Sequence, residues 1–349
     1  MRRTGKFVHL ITFITFVYMS KSSNTGLVSA KEVAKAINAD RYGFLGTFAG
    51  WILMKVLKIS SLNRVYNRNK HLTDLEFLDG LLGDFKIKFE IPEEDLKRLP
   101  KKGPYITVSN HPLGGIDGIL LLKMMLEREP DFKIIANFLL HRIEPLVPFI
   151  MPVNPFEDHK DAKSSIAGFK NSLLHLKNGH PLGVFPAGEV STYKDGKLVV
   201  DKPWEPAAMK LIQRAEVPIV PIYFHAKNSR LFYRLSKLSD SLRTAKLPSE
   251  LLTQKKRVIK VRIGKPIRVK DQKEHTTLEG FSDFVRRKTY MLSNTFEKTK
   301  ILTNISSSLK VTKSPKKIVT PTPTEIMCAE IESLKSEDHR LLTSKNQPN

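Results

Sequence analysis

The chain has a single cysteine, Cys328, in 349 residues, so no intrachain disulfide framework is available and a reducing compartment suits it. Negative charge is scarce as well: 35 Asp and Glu stand against 58 Lys and Arg, a formal net charge of +23. An excess of that size favours polyanionic partners, namely nucleic acid, an anionic membrane surface or phosphorylated small molecules. Neither a glycine-rich dinucleotide loop nor a P-loop is present. Apart from His111, the histidines sit at no metal-ligand spacing. No internal repeat occurs, so nucleotide-fuelled, metal-centred and solenoid designs are set aside. The apolar run FVHLITFITFVYM, after the basic start MRRTGK, has 13 residues, short of the roughly 20 that span a bilayer. Its layout is that of a signal peptide, but no small-residue cleavage pattern follows. Translation from Met19 is the other reading, and residues 1–26 are set apart as a signal-like or mis-started leader.

What is present begins with helix signals. VSAKEVAKAI holds Ser29 and Glu32 at the spacing of reciprocal capping, and HLTDLEFLDGLLG repeats it with Thr73 and Glu76. Between them, residues 43–59 are apolar nearly all round, with Lys55 and Lys58 only near the end. Such a helix is either buried or lies in a membrane interface, with Trp51 and the lysines at headgroup level. From residue 85 the texture changes. KIKFEI, YITVSN, FKIIANF, PLGVFP, VPIVPIYF and RVIKVRIG read as strands, and residues 117–128, 162–178 and 203–216 as helices. This alternation predicts an α/β fold with a mostly parallel central sheet flanked by helices. Continuous apolar strands suit a sheet covered on both faces. Beyond residue 292 the chain is rich in Ser, Thr, Lys and Pro and reads as a flexible, low-complexity tail.

Three constellations carry chemistry. In YITVSNHPLGGIDG a strand ends at Asn110 and His111, a glycine turn follows, and Asp117 opens a helix. Open α/β sheets gather ligands at the carboxyl ends of their strands. A histidine held by a carboxylate is oriented and becomes a better base, able to deprotonate an attacking hydroxyl. Gly114 and Gly115 let the chain fold back so that the two side chains meet. Taken alone, the segment reads first as a turn histidine and a helix N-terminal aspartate, ahead of a catalytic pair. In GVFPAGEVS a second strand runs into a Pro186–Gly188 turn and then Glu189. In VPIVPIYFHAKNSRLFYRL, Lys227 and Arg230 follow a buried strand, either placed to meet a phosphate or a pantetheine-linked nucleotide or lying in a solvated loop. Arg142, in NFLLHRIEP, is a further cation of that kind.

Together, NHPLGGIDG, FPAGE and VPIVP with NSRLFYRL resemble, in order and spacing, the boxes of the glycerolipid acyltransferases, the lysophosphatidate-acyltransferase-like superfamily. They are closer to its hemolysin-like branch, which includes O-acyltransferases of amino-acid-containing lipids. The resemblance spans roughly residues 60–292. It implies an acyltransferase-like domain at 85–292, which the readings above flank with a helical, membrane-associating leader at 27–84 and a low-complexity tail at 293–349. It makes His111 the general base on the acceptor hydroxyl and Asp117 its orienting partner. Attack on a thioester then transfers the acyl chain with no acyl-enzyme. Asn110, Phe185 and Pro186 would line the acceptor site with Gly188 and Glu189, and Arg142, Ser229 and Arg230 would complete the substrate-binding set. Two departures stand out: five residues, PLGGI, separate His111 from Asp117 where the family box has four, and Glu189 follows the box glycine where the family's glutamate precedes it.

The expected activity is transfer of a fatty acyl chain from acyl-CoA or acyl carrier protein to a lyso-lipid hydroxyl, of the 1-acylglycerol-3-phosphate kind. The alternative acceptor is a lyso-amino-acid lipid of the ornithine or glycine type. No metal or bound cofactor is expected, and the partners are a membrane surface at its cytoplasmic face, the acyl donor and the lyso-lipid. A nucleic-acid-binding role rests on charge alone, chiefly QKKRVIKVRIGKPIRVKDQK. That run alternates apolar and basic residues, as a strand with one solvated face does, and no nucleic-acid module accompanies it.

Overall fold

A computed structural model of the chain describes residues 27–153, 162–194, 198–238, 240–254 and 257–293; the leader 1–26 and the tail from residue 294 lie outside the described residues. Seven strands form the main sheet: β1 (Lys88–Glu90), β2 (Ile106–Ser109), β3 (Lys133–Asn137), β4 (Ile150–Val153), β5 (Leu182–Val184), β8 (Ile219–His225) and β9 (Val258–Ile263). Two more, β6 (Thr192–Lys194) and β7 (Leu198–Val200), pair as a separate antiparallel hairpin. The order across the sheet is β1-β9-β8-β2-β5-β3-β4. All neighbours run parallel except β8 and β9, which agrees with the expected mostly parallel sheet.

Four helices lead in: α1 (Ala30–Ala36), α2 (Phe44–Val56), α3 (Ile59–Asn69) and α4 (Asp74–Phe85). A short α5 (Glu93–Leu96) precedes β2. Then come α6 (Gly115–Leu126) after β2, α7 (Ala162–Lys177) after β4, and α8 (Pro206–Ala215) after the hairpin. Helices α9 (Arg230–Leu238) and α10 (Asp240–Leu251) follow β8, and α11 (Val269–Lys273) and α12 (Leu278–Tyr290) follow β9. The three expected helices appear as α6, α7 and α8. Strand β4 was not anticipated because Pro152 interrupts its sequence; it lies at the sheet edge, where a missing N–H is tolerated.

Side chains alternate between the two faces of the sheet. Ile106, Val108 and Ile219 pack with Met209, Ile212, Phe281 and Val285 of α8 and α12 on one face. Val220, Ile222 and Phe224 pack with Leu78 and Leu81 of α4 and Leu120 and Leu121 of α6 on the other. The chain thus leaves β2 towards one face and β5 towards the other, and a crevice opens between the carboxyl ends of these adjacent strands, the usual ligand position in such sheets. Strand β9 carries the basic run, and its alternation is observed: Ile259, Val261 and Ile263 are buried, while Arg262 pairs with Asp95 at 2.6 Å.

The leader departs from expectation in two places. The Ser29–Glu32 capping box forms, with the Ser29 N–H donating to Glu32 Oε2 at 2.6 Å, but Thr73 makes no side-chain cap. The single helix expected over residues 43–59 is broken at Lys58, which adopts a left-handed conformation (φ 58°). Helices α2 and α3 therefore meet at a bend of 78°. No single described helix is long and apolar enough to cross a membrane; this bent pair has the combined length and composition. Against the body of the leader α2 presents Gly46, Gly50 and Met54. A Cβ on Gly46 would stand 1.8 Å from the Ala39 carbonyl oxygen, and one on Gly50 2.3 Å from that of Ala30. The opposite face exposes Phe44 (81%), Leu45 (70%), Phe48, Trp51, Ile52 and Val56. Phe44, Phe48 and Trp51 stack in series, and Lys55 Nζ lies 3.8 Å from the Trp51 ring centre.

Candidate active site

Strand β2 is buried along its length and is followed by Asn110, whose amide is used structurally. It donates to the Phe224 carbonyl at 3.1 Å and accepts from the Phe224 N–H at 2.8 Å, which fastens the end of β2 to β8. His111 is the next residue and remains partly open, with 18% of its side chain exposed. The turn that follows needs Gly114 at φ 77°, and there Asp117 Oδ2 accepts the N–H groups of Leu113 (2.7 Å) and Gly114 (3.1 Å). The same oxygen lies 3.1 Å from His111 Nδ1. The five-residue spacer therefore brings the imidazole and the carboxylate into reach. The ring N–H is not well aligned along that line, and such contacts commonly tighten when substrate binds. Asp117 is fully buried; burial pushes its carboxyl up, against the pull of His111 and the two N–H donors.

The second box meets the first across the β2–β5 crevice. The Phe185 ring packs on the His111 ring, centres 4.3 Å apart, and itself sits 6.4 Å from Phe224. With Nδ1 turned to Asp117, the free ring nitrogen of His111 is Nε2. The Pro186 carbonyl accepts from the Glu205 N–H at 2.8 Å, and Gly188 turns the chain at φ 65°. Glu189 does not reach towards His111 as a lone carboxylate; it pairs with Lys202 at 2.8 Å and with Arg243.

Of the third group, Ser229 caps α9, donating its hydroxyl to Glu250 at 2.8 Å while accepting the Phe232 N–H. Arg230 is exposed on the first turn of α9. Arg142 is tied elsewhere: its guanidinium donates to Glu32 of α1 at 2.9 Å, so it joins the leader to the sheet. Among the described residues no group of three or more His, Cys, Asp and Glu side chains is placed to hold a metal ion.

Sequence reading missed the group that fixes His111 from behind. Asp201, buried at the end of β7, accepts the His111 backbone N–H at 3.1 Å, the Ser191 hydroxyl and the Trp204 indole N–H at 3.3 Å. The Ser191 N–H in turn donates to the His111 carbonyl at 2.9 Å. Asn228 was also missed; its amide donates to the Pro112 carbonyl at 3.0 Å inside the turn that joins His111 to Asp117. Asp201 lies in no recognisable motif, whereas Asn228 opens NSRLFYRL, whose serine and arginine drew the attention instead.

Comparison with known proteins gives a consistent set of likenesses. The family model described as "Acyltransferase" matches residues 33–299. The lyso-glycine lipid O-acyltransferase of Bacteroides thetaiotaomicron is 26% identical over 276 residues, 76% of this chain and 97% of that protein. The protein of the same name from Phocaeicola vulgatus is 26% identical over 275 residues, 76% of this chain and 95% of that one. The crystal structure of the 1-acyl-sn-glycerophosphate (LPA) acyltransferase PlsC from Thermotoga maritima aligns with 90% of this chain and 100% of its own. Its identity is 14% and its TM-score 0.38, too loose a likeness to bear on the site.

Proposed function

The chain belongs to the acyltransferase family, and from that premise we propose that it moves a fatty acyl group from a thioester to the hydroxyl of a lyso-lipid. The observation that carries the reading is the 3.1 Å contact of His111 with buried Asp117 at a strand end. His111 Nε2 takes the acceptor's hydroxyl proton as the oxygen attacks the thioester carbonyl. The C–O bond forms, the C–S bond breaks, and the thiol leaves with the proton returned by the imidazolium. Asp117 holds the ring and offsets its transient charge. Acyl-CoA and acyl carrier protein are both polyanions suited to so basic a chain.

The acceptor favoured is a lyso-amino-acid lipid of the glycine type, ahead of 1-acylglycerol 3-phosphate. The likeness to two lyso-glycine lipid O-acyltransferases along nearly their whole length supports that choice. A glycine held through its nitrogen keeps a free carboxylate, and the chain hydroxyl is then the oxygen to be acylated. The same proposal puts α2 against the membrane at its cytoplasmic face. Its exposed aromatic row, with Lys55 over Trp51, has the character of an interfacial helix.

The test is incubation with labelled acyl-CoA or acyl carrier protein and a panel of lyso-lipids, followed by product identification. His111→Ala is expected to slow transfer by about 10²–10⁴-fold. Undiminished transfer by that variant would sink the mechanism, and acylation of lysophosphatidate in preference to lyso-glycine lipid would sink the choice of acceptor.

A further inference from the structure

We propose that Asp201 is a positioning residue for the reaction: through the backbone of His111 it sets the imidazole orientation that acyl transfer requires. This inference rests on the acyl-transfer reading above and extends it to a carboxylate behind the base.

Three donors converge on that carboxylate, which is 2% exposed. Asp201 Oδ1 accepts the His111 N–H at 3.1 Å and the Ser191 hydroxyl, and Oδ2 accepts the Trp204 indole N–H at 3.3 Å. An ionised carboxylate accepts on both oxygens and donates on neither, so it suits a site where every neighbour is a donor. The Ser191 N–H completes the hold by donating to the His111 carbonyl at 2.9 Å. Ser191 immediately precedes β6 and Asp201 immediately follows β7. The two ends of the hairpin thus take both backbone polar groups of His111.

The clamp is itself anchored to the body of the fold. The Asp201 N–H donates to the Tyr290 hydroxyl at 2.8 Å, and its carbonyl accepts from the Arg286 guanidinium at 2.8 Å. Both partners lie on α12, which packs on the sheet through Phe281 and Val285. On the other side of the ring, Asp117 is fixed by the N–H groups of Leu113 and Gly114. With that carboxylate immobile, the ring geometry depends on where the His111 backbone sits. The Nδ1 contact with Asp117, at 3.1 Å and off the N–H line, has little margin. A displacement of about 1 Å can cost about 10²-fold in rate. Losing the contact also lets the proton move to Nε2, where the ring can no longer take one from the acceptor hydroxyl.

The test reads the tautomer and the rate in the full chain. Nitrogen NMR of histidine-labelled protein reports the tautomer, with the His111 signals identified by their loss in His111→Gln. The unmodified protein is expected to hold His111 in the Nδ1–H form. Asp201→Ala should give a mixture of tautomers and lower kcat about 10²-fold, with KM for the lyso-lipid moved less than about threefold. Asp95→Ala removes another buried carboxylate, one bonded to β9 two strands away, and controls for lost stability; it should keep both tautomer and rate. Tyr290→Phe strips the Asp201 N–H of its acceptor and decides the matter if Asp201→Ala fails to fold. It too should mix the tautomers, slowing kcat about threefold to tenfold. An unchanged tautomer in the folded variant overturns the proposal whatever the rate, as does a mixed tautomer with kcat unchanged. Equal effects in Asp95→Ala overturn it as well, by assigning them to general loosening. Mixed tautomers in Asp201→Ala with no acyl transfer by the unmodified protein leave the positioning standing and remove the acyl-transfer reading.

Discussion

Helices α6 and α2 are nearly the same length, 12 and 13 residues, and each is apolar along most of its sequence. Their surroundings are opposite. Helix α6 buries Leu120, Leu121, Leu122, Met124 and Met125 against the sheet and α4, and its first turn holds the carboxylate that meets His111. Helix α2 buries two glycines and one methionine, and turns its aromatic and branched residues outwards. The lesson is that hydrophobic content does not decide which way a helix faces; the size of the side chains on its packing face does. Glycines allow backbone contact with α1 and leave the large residues no place inside. A contiguous aromatic face of that kind marks an interaction site on a folded protein.

The sharpest way to break this contrast is a pair of truncations. Leu121→Ala in α6 should cost about 2–5 kcal/mol of stability, and Phe48→Ala in α2 about 0.5 kcal/mol or less, read from denaturant midpoints. Equal losses would mean that the outer face of α2 is packed after all. Next, Trp51→Ser should weaken partitioning onto anionic vesicles by about tenfold, close to 1.4 kcal/mol, and leave the unfolding midpoint in place. Unchanged partitioning would end the membrane reading of α2. Lys55→Gln should weaken partitioning by about 1 kcal/mol or less, an effect that vanishes at high salt.

Acid should act on the sheet body through Asp95 and so sharpen the comparison further. Burial pushes the Asp95 carboxyl up, but hydrogen bonds from Arg262 and the Ile263 N–H, with the charges of Arg262 and Arg98, outweigh it and hold the group below its ordinary value. A lowered carboxyl stabilises the fold above its unfolded-state value, and that contribution is lost as pH falls through the folded-state one. The unfolding midpoint should therefore drop below about pH 4, and Asp95→Asn should flatten the drop. An identical acid slope in the variant would assign the effect to other carboxyls.

What could be read from the sequence follows the range of each interaction. The His111–Asp117 pair lies within one turn, so residue spacing and two glycines announced it. Strands β2, β5 and β8 were legible because continuous apolar runs between turn residues have few other uses. Asp201 was not, since it reaches His111 across 90 positions from a hairpin with no motif. Arg243 was hidden for the same reason: it reaches Glu189 across 54 positions, from a helix where the sequence reading assigned no element. Arg142 shows the converse. A basic residue beyond a strand looked available for substrate, and the fold spends it on Glu32, which also caps α1. Asn110 was likewise grouped with the substrate-binding residues and proves to be a clasp between strands.

The glycine face of α2 has an engineering consequence. Because the packing face of α2 is formed by Gly46, Gly50 and Met54, the outer residues can be rewritten without touching it. Replacing Phe44, Phe48, Trp51 and Ile52 with Glu, Gln and Lys would give the helix a polar outer face on an unaltered scaffold. Conversion in the other direction, through the inner face, is closed: at Gly46 even a methyl group collides with the Ala39 carbonyl.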